Sequence, residues 1–238
     1  MKDTATVQRL RLLAAEYNDE KYFGQDPIIF PKAMMKRGGT LQDIEITAAI
    51  AAHLAWGRRP MILRDCERAL QEMQWQPYSY IRSGCFRQGK ESLHRTVRWD
   101  DFAMICRNLK RFYDSEPSLE ILSTDEFRTR IYGQKEDRNA ANKKIWMLKR
   151  WMVRNDGIVD LGLWKNSSPA DLVIPLDVHV HRSALEMGLT GRQSASAATA
   201  REITDYLKKV FPGDPCLGDF ALFAYSATTK NKKEDNTK

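Results

Sequence analysis

The sequence predicts an all-α protein, and three observations carry that prediction. Apolar residues recur at the helical period along nearly all of the 238 residues. Convincing period-2 alternation is missing, with Ile158 to Leu163 the one stretch that reads as a short extended piece. Capping and stop signals divide the chain into roughly ten helices, with no internal repeat and no long linker.

Taken in order, Val7 to Tyr17 reads as a first helix, followed by an irregular stretch containing Pro27 and Pro31. Thr40-Leu41-Gln42-Asp43 is a variant capping box that opens an alanine-rich helix through Ala55, stopped at Gly57. So much alanine implies burial on several sides. Pro60 starts the next helix, with Ile62, Cys66, Ala69, Leu70 and Met73 on one face. Asp100 or Asp101 caps a helix carrying Phe102, Ile105, Leu109 and Phe112, and Ser123 opens a short one ending near Ile131. A polar turn, Gln134 to Asn142, leads into a helix from Lys143 to Arg154, which Asn155-Asp156-Gly157 breaks. Asp160 to Ile174 is a loop, and Pro175-Leu176-Asp177 introduces a helix that stops at Gly188. Thr199 to Val210 and Phe220 to Tyr225 are the last helices, and residues 229–238 read as a disordered basic tail after a single helical domain over 1–228.

Composition narrows the function. Apolar residues at 42% and charged residues at 29% exclude collagen-like, low-complexity and wholly disordered chains. No apolar run reaches the roughly 20 residues that cross a bilayer, and the N-terminus lacks an export signal, so the expected location is cytoplasmic, with no membrane partner. The formal charge is +7, and removing the tail, with four Lys against Glu234 and Asp235, leaves about +5. That excess favours a polyanionic partner. Cys66, Cys85, Cys106 and Cys216 lie 19, 21 and 110 residues apart, which fits no metal or iron–sulfur spacing and reads as free thiols.

Charge concentrates between Arg138 and Arg154, where Arg138, Lys143, Lys144, Lys149, Arg150 and Arg154 meet no acidic residue. On a helix, Lys143, Met147, Arg150 and Arg154 share a face opposite Ile145, Leu148 and Met152, so one side packs while the other meets phosphates or simply solvent. Trp146 and Trp151 fit either stacking on a base or core packing. Asp177 reads first as an N-cap accepting from the amides two and three residues on; the same held carboxylate is suited to stabilising a cation. His179 and His181 point about 200° apart on a helix, which disfavours a shared metal. No cofactor or metal site is expected.

Leu176-Asp177-Val178-His179-Val180-His181-Arg182 resembles the aspartate motif of helix-hairpin-helix DNA glycosylases, and Lys143-Lys144-Ile145-Trp146-Met147 resembles their lysine helix. Asp219 to Tyr225 resembles their final core helix. The separation of Lys143 and Asp177, 177 − 143 = 34 residues, is closest to the archaeal 8-oxoguanine DNA glycosylase branch. Trp151-Met152-Val153-Arg154 and Asp160-Leu161-Gly162 are similar to a divergent bacterial family of the same superfamily. The Gly-x-Gly hairpin is missing, and Gly133 to Asp137 is the nearest substitute, so the implied helix-hairpin-helix, over 124–154, is divergent.

The resemblance implies a two-lobed, monomeric glycosylase fold that excises an oxidised base such as 8-oxoguanine from damaged double-stranded DNA and then nicks the strand as an AP lyase. Lys143, with Lys144 as the alternative, would be the Schiff-base nucleophile, and Asp177 the activating carboxylate. Arg138, Lys144, Arg150, Arg154, His179, Arg58 and Arg59 would contact DNA, Trp146 and Asp219 would line the base pocket, and Gln134 or Trp146 would wedge the duplex. His179 and Asp219 also fit plain helix-end roles, and Arg58 and Arg59 a solvated loop. The competing functions are a non-catalytic nucleic-acid binder that retains the fold, and a helical adaptor for an acidic protein.

Overall fold

The computed structural model describes residues 4–235, and over them the all-α expectation holds, with eleven α-helices and one two-stranded hairpin. The chain forms two compact units, one made of the N-terminal segment to Tyr22 together with Arg138 onward, the other of Phe23–Asp137.

The second unit is built around α3 (Leu41–Leu54), every residue of which from Ile44 to Leu54 is buried. Thr40 caps it through the predicted box: its hydroxyl accepts from the Asp43 N–H, and the Asp43 carboxylate accepts from the Thr40 N–H at 3.0 Å. α2 (Ile29–Lys36), α4 (Arg59–Glu72) and α5 (Pro77–Ser83) pack against α3. α2 falls where an irregular stretch was expected, because Pro31 occupies its first turn, where a missing N–H removes no helical bond. Glu45, on the buried helix, accepts from the Tyr113 hydroxyl at 2.6 Å, the Ser118 hydroxyl at 2.5 Å and the Leu119 N–H at 3.1 Å. A carboxylate can be buried there because its lone pairs are used.

A short hairpin, β1 (Ser92–His94) and β2 (Val97–Arg98), precedes α6 (Trp99–Tyr113). Strands this short leave no alternation to read. α6 starts at Trp99 with Arg98 as its N-cap residue, and Asp101 reaches back to the Arg98 N–H at 2.8 Å. Ser123 caps α7 (Thr124–Glu126) as predicted, and the chain continues through a short π-helix, Phe127–Ile131.

In the first unit, α11 (Leu217–Asp235) packs against α1 (Thr4–Tyr17) and α9 (Val178–Glu186). The remaining helices are α8 (Lys143–Val153) and α10 (Ala197–Val210). α11 is helical into the stretch read as a basic tail, whose residues 236–238 lie outside the described residues. The suspected extended piece at 158–163 forms no strand; the Leu161 and Gly162 amides instead bond to the Trp151 carbonyl, at 2.8 and 3.2 Å. Cys66, Cys106 and Cys216 are buried and Cys85 is exposed, all as thiols. Among the described residues, no helix is long and apolar enough to cross a membrane.

Candidate functional site

The first unit brings together the starts of two helices. α8 begins with Lys143 and Lys144, immediately after Asn142, whose backbone is left-handed at φ 48°. Asparagine tolerates that conformation better than most residues. The segment before it is pinned to the start of α10, by an antiparallel bridge between Ala140 and Ser196 and by the Ala197 N–H donating to the Asn139 carbonyl at 2.9 Å. The first turn of α8 contains no acidic residue. Two ammonium groups therefore stand at the positive end of a helix dipole, the end that favours anions.

Asp177 is the N-cap of α9, as its sequence context predicts. Its Oδ1 accepts from the N–H groups of His179 at 2.8 Å and Val180 at 2.9 Å. The other oxygen, Oδ2, faces Lys143 Nζ at 3.6 Å. The carboxylate thus divides its duties: one oxygen fixes the helix end and the other addresses the amine. Both side chains keep partial access to solvent, at 32% for Lys143 and 23% for Asp177.

The neighbouring amine is perturbed. Burial, reinforced by the Lys143 charge, pushes Lys144 down to about 8.

Farther along α8, the face that carries Lys143 turns inward. Arg150 and Arg154 do not meet phosphate as their place on this face predicts, since both are buried, Arg154 completely. Arg150 donates to Asp219 at 2.7 Å and to Asp160 at 3.3 Å. Arg154 pairs with Asp160, with Asp214 at 2.9 Å and with Asp156 at 2.9 Å. Both guanidinium groups lie over the Phe220 ring, at 4.8 and 4.9 Å from its centroid. Each positive charge is consumed by carboxylates that arrive from other segments, so neither guanidinium is available to a phosphate.

Asp219 connects this network to the pair. Burial raises its carboxyl to about 6 against the opposing pull of Arg150; the Asp177 charge raises it further and the Lys143 charge lowers it. Its place in the expected base pocket is corrected as well: its principal partner is Arg150, and it is buried. No local sequence feature makes Asp156, Asp160 or Asp214 a partner of these arginines; Asp156 reads as part of a helix stop and Asp160 as part of a short motif. The signal that could have found them is the Arg150/Arg154 pair at a four-residue spacing, which on a buried face demands carboxylates.

The other expected residues fall as follows. His179 is half-buried with Nδ1 3.4 Å from the Ser226 hydroxyl, and His181 is buried with Nε2 donating to the Arg192 carbonyl at 2.8 Å. Trp146 is half-buried, while Trp151 is in the core. Arg138 is exposed on the loop before α8. Gln134, Arg58 and Arg59 belong to the second unit, the arginines exposed at the start of α4.

The fold and this site define an all-α protein with an amine–carboxylate pair at two apposed helix starts. Residues 26–136 and 123–228 match the model of a family described as a protein of unknown function (DUF2400), and the chain belongs to that family. No curated protein and no solved structure matches it. This overturns the resemblance to helix-hairpin-helix glycosylases, including their archaeal 8-oxoguanine branch, as a family assignment. An Asp capping a histidine-bearing helix is general capping chemistry, and without the glycine hairpin the short motifs do not define that superfamily.

Proposed function

We propose that the protein is a DNA-processing enzyme in which Lys143 and Asp177 together cleave the N-glycosidic bond of a damaged base and then the strand beside it. The observation that carries this reading is the 3.6 Å approach of Lys143 Nζ to an Asp177 carboxylate oriented by two backbone amides. A positioned amine beside a carboxylate is the arrangement that Schiff-base chemistry at a sugar C1′ requires.

The neutral Lys143 amine attacks C1′ as the C1′–N bond breaks, and the base leaves with the bonding electron pair and takes up a proton. Asp177 stabilises the cationic sugar while this happens. A proton moves from the attached nitrogen to O4′ as the C1′–O4′ bond breaks, giving an iminium; removal of a C2′ proton then forms the C2′=C3′ double bond as the C3′–O bond breaks, and the 3′ phosphate leaves with that electron pair. A base inside a duplex cannot be reached, so the nucleotide must leave the stack. The net charge of +7 supports a polyanionic substrate.

The test is borohydride trapping on duplexes carrying 8-oxoguanine, an oxidised pyrimidine or an abasic site. A covalent adduct that disappears in Lys143→Gln and persists in Lys144→Gln is the expected result. Absence of adduct on every duplex, together with salt-sensitive binding, would replace this reading with that of a non-catalytic nucleic-acid binder.

A further inference from the structure

In the second unit the chain places an arginine where the backbone favours glycine. The hairpin loop is two residues long, Arg95-Thr96, between His94 and its partner Val97. Arg95 has φ +53°, and positive φ at the first position of such a loop is ordinarily supplied by glycine. Its guanidinium lies over the Trp56 ring, 4.4 Å from the centroid. It also passes directly against Gly57, itself at φ +100°, where an added Cβ would come within 2.6 Å of Arg95 Nη1. Both ends of the contact are therefore unusual: a bulky residue occupies a glycine-like turn, and a left-handed glycine leaves room for its guanidinium.

The loop bearing Trp56 is held from beneath. His94 is fully buried, with Nε2 2.9 Å from the Trp56 carbonyl and Nδ1 2.8 Å from Asp65 Oδ2. Asp65 also accepts from Arg64 at 2.8 Å and from Arg68 at 3.2 Å. Burial pushes its carboxyl up, but the hydrogen bonds from Arg64, His94 and Arg68 outweigh that and hold it below the usual carboxylate range. Two of the arginines here are thus neutralised. Arg58 and Arg95 are exposed and have no carboxylate partner among the described residues. The start of α4 does not itself offer amides, since Pro60 has no N–H and the Met61 and Ile62 amides are spent on the Arg58 carbonyl.

We infer that Trp56, Arg58 and Arg95 form a preorganised grip for the phosphate backbone of DNA on the second unit. The inference rests on the proposed action on DNA and adds a binding surface separate from Lys143 and Asp177. Of the two exposed guanidiniums, that of Arg95 lies over an indole whose backbone a buried histidine holds, so it reaches a phosphate oxygen with less ordering left to lose, and Arg58, two residues from that indole, adds a second charge beside it.

The experiment measures anisotropy of a short, fluorescein-labelled, undamaged duplex against salt for the whole chain, for Arg58→Ala/Arg95→Gly, and for a control, Arg107→Ala/Arg111→Ala, on exposed positions of α6. Loss of two phosphate contacts lowers the slope of log affinity against log salt by about 2, so between about 50 and 200 mM salt the wild type loses about tenfold more affinity than the variant. Arg95→Gly places glycine where the backbone favours it, so Tm stays within about 3 °C of the wild type. An equal change in the control would reduce the effect to net charge and overturn the grip. A fall in Tm with unchanged affinity would overturn it too, making Arg95 a structural residue. If the wild type binds and the variant loses binding while no borohydride adduct ever forms, the grip stands and the glycosylase reading falls alone.

Discussion

Lys144 should weaken the protein at neutral pH, and removing its charge should show it. Its amine is pushed from 10.5 to about 8 by burial and then by Lys143. At roughly 1.4 kcal/mol per pKa unit, holding that amine protonated in the folded state costs about 3 kcal/mol as an upper figure. The sign follows from proton counting. Below about pH 8 both folded and unfolded chains carry the proton and the cost is felt in full; between about 8 and 10.5 the unfolded chain binds more protons than the folded one, so stability climbs with pH. Lys144→Met keeps the length and the apolar stem without the charge. Urea unfolding should find the variant about 1–3 kcal/mol more stable than the wild type at pH 7, with the advantage shrinking toward pH 10. An advantage that stays constant across that window would mean the gain is packing alone. Destabilisation at both pH values would mean that the amine is well satisfied where it is, and the argument that burial beside Lys143 disfavours its charge would fail.

Three other perturbations separate structure from chemistry. Asparagine caps helices nearly as well as aspartate, so Asp177→Asn should shift unfolding by less than about 0.5 kcal/mol while eliminating the borohydride adduct; Asp177→Ala should cost about 1 kcal/mol as well, and an active Asn variant would remove the carboxylate from the mechanism. Arg154→Met leaves three carboxylates without their shared cation and should cost about 3–5 kcal/mol in urea unfolding, whereas a loss below about 1 kcal/mol would show that the network is not coupled. Carboxyl NMR should find Asp219 titrating near 6 and moving down in Asp177→Asn, because the Asp177 charge is one of the groups raising it. Since the folded carboxyl holds its proton more tightly than the unfolded one, Asp219 favours folding most below 3.8 and loses that contribution as pH rises to about 6. A midpoint in the usual carboxylate range would sever Asp219 from the pair.

What the sequence made legible was local. Thr40 with Asp43, Ser123 with Glu126, and Asp177 with the amides of His179 and Val180 are capping arrangements completed within three residues, so spacing alone specifies them. The grouping of Lys143, Arg150 and Arg154 on one face of α8 was also readable, because it depends only on helical period. The environment of that face was not. Asp214 and Asp219 lie 60 and 69 residues from their arginine partners, and no local pattern announces that they return to bury what looked like a phosphate-binding surface. The hairpin escaped for the opposite reason: three residues paired with two are too short to show alternation, and the feature of interest is the backbone angle at Arg95, which residue type argues against.

The candidate site is composed of choices that stability alone would not favour. Lysines begin α8 at the wrong pole of its dipole, a non-glycine residue before them is left-handed, and a buried carboxyl nearby is pushed to about 6. A helix start designed only to fold would carry Asp or Ser there and would not half-bury the Lys144 amine. Asp177 differs from these because it satisfies a structural demand and a chemical one at once, through different oxygens. Its capping bonds fix the carboxylate plane before any substrate arrives, which leaves Oδ2 facing Lys143 without further ordering. Local rules broken at Asn142 and the lysines beside it, close to one residue that obeys them, make this the place where the proposed chemistry is most sharply tested, since independent accidents of packing have no reason to converge on one amine.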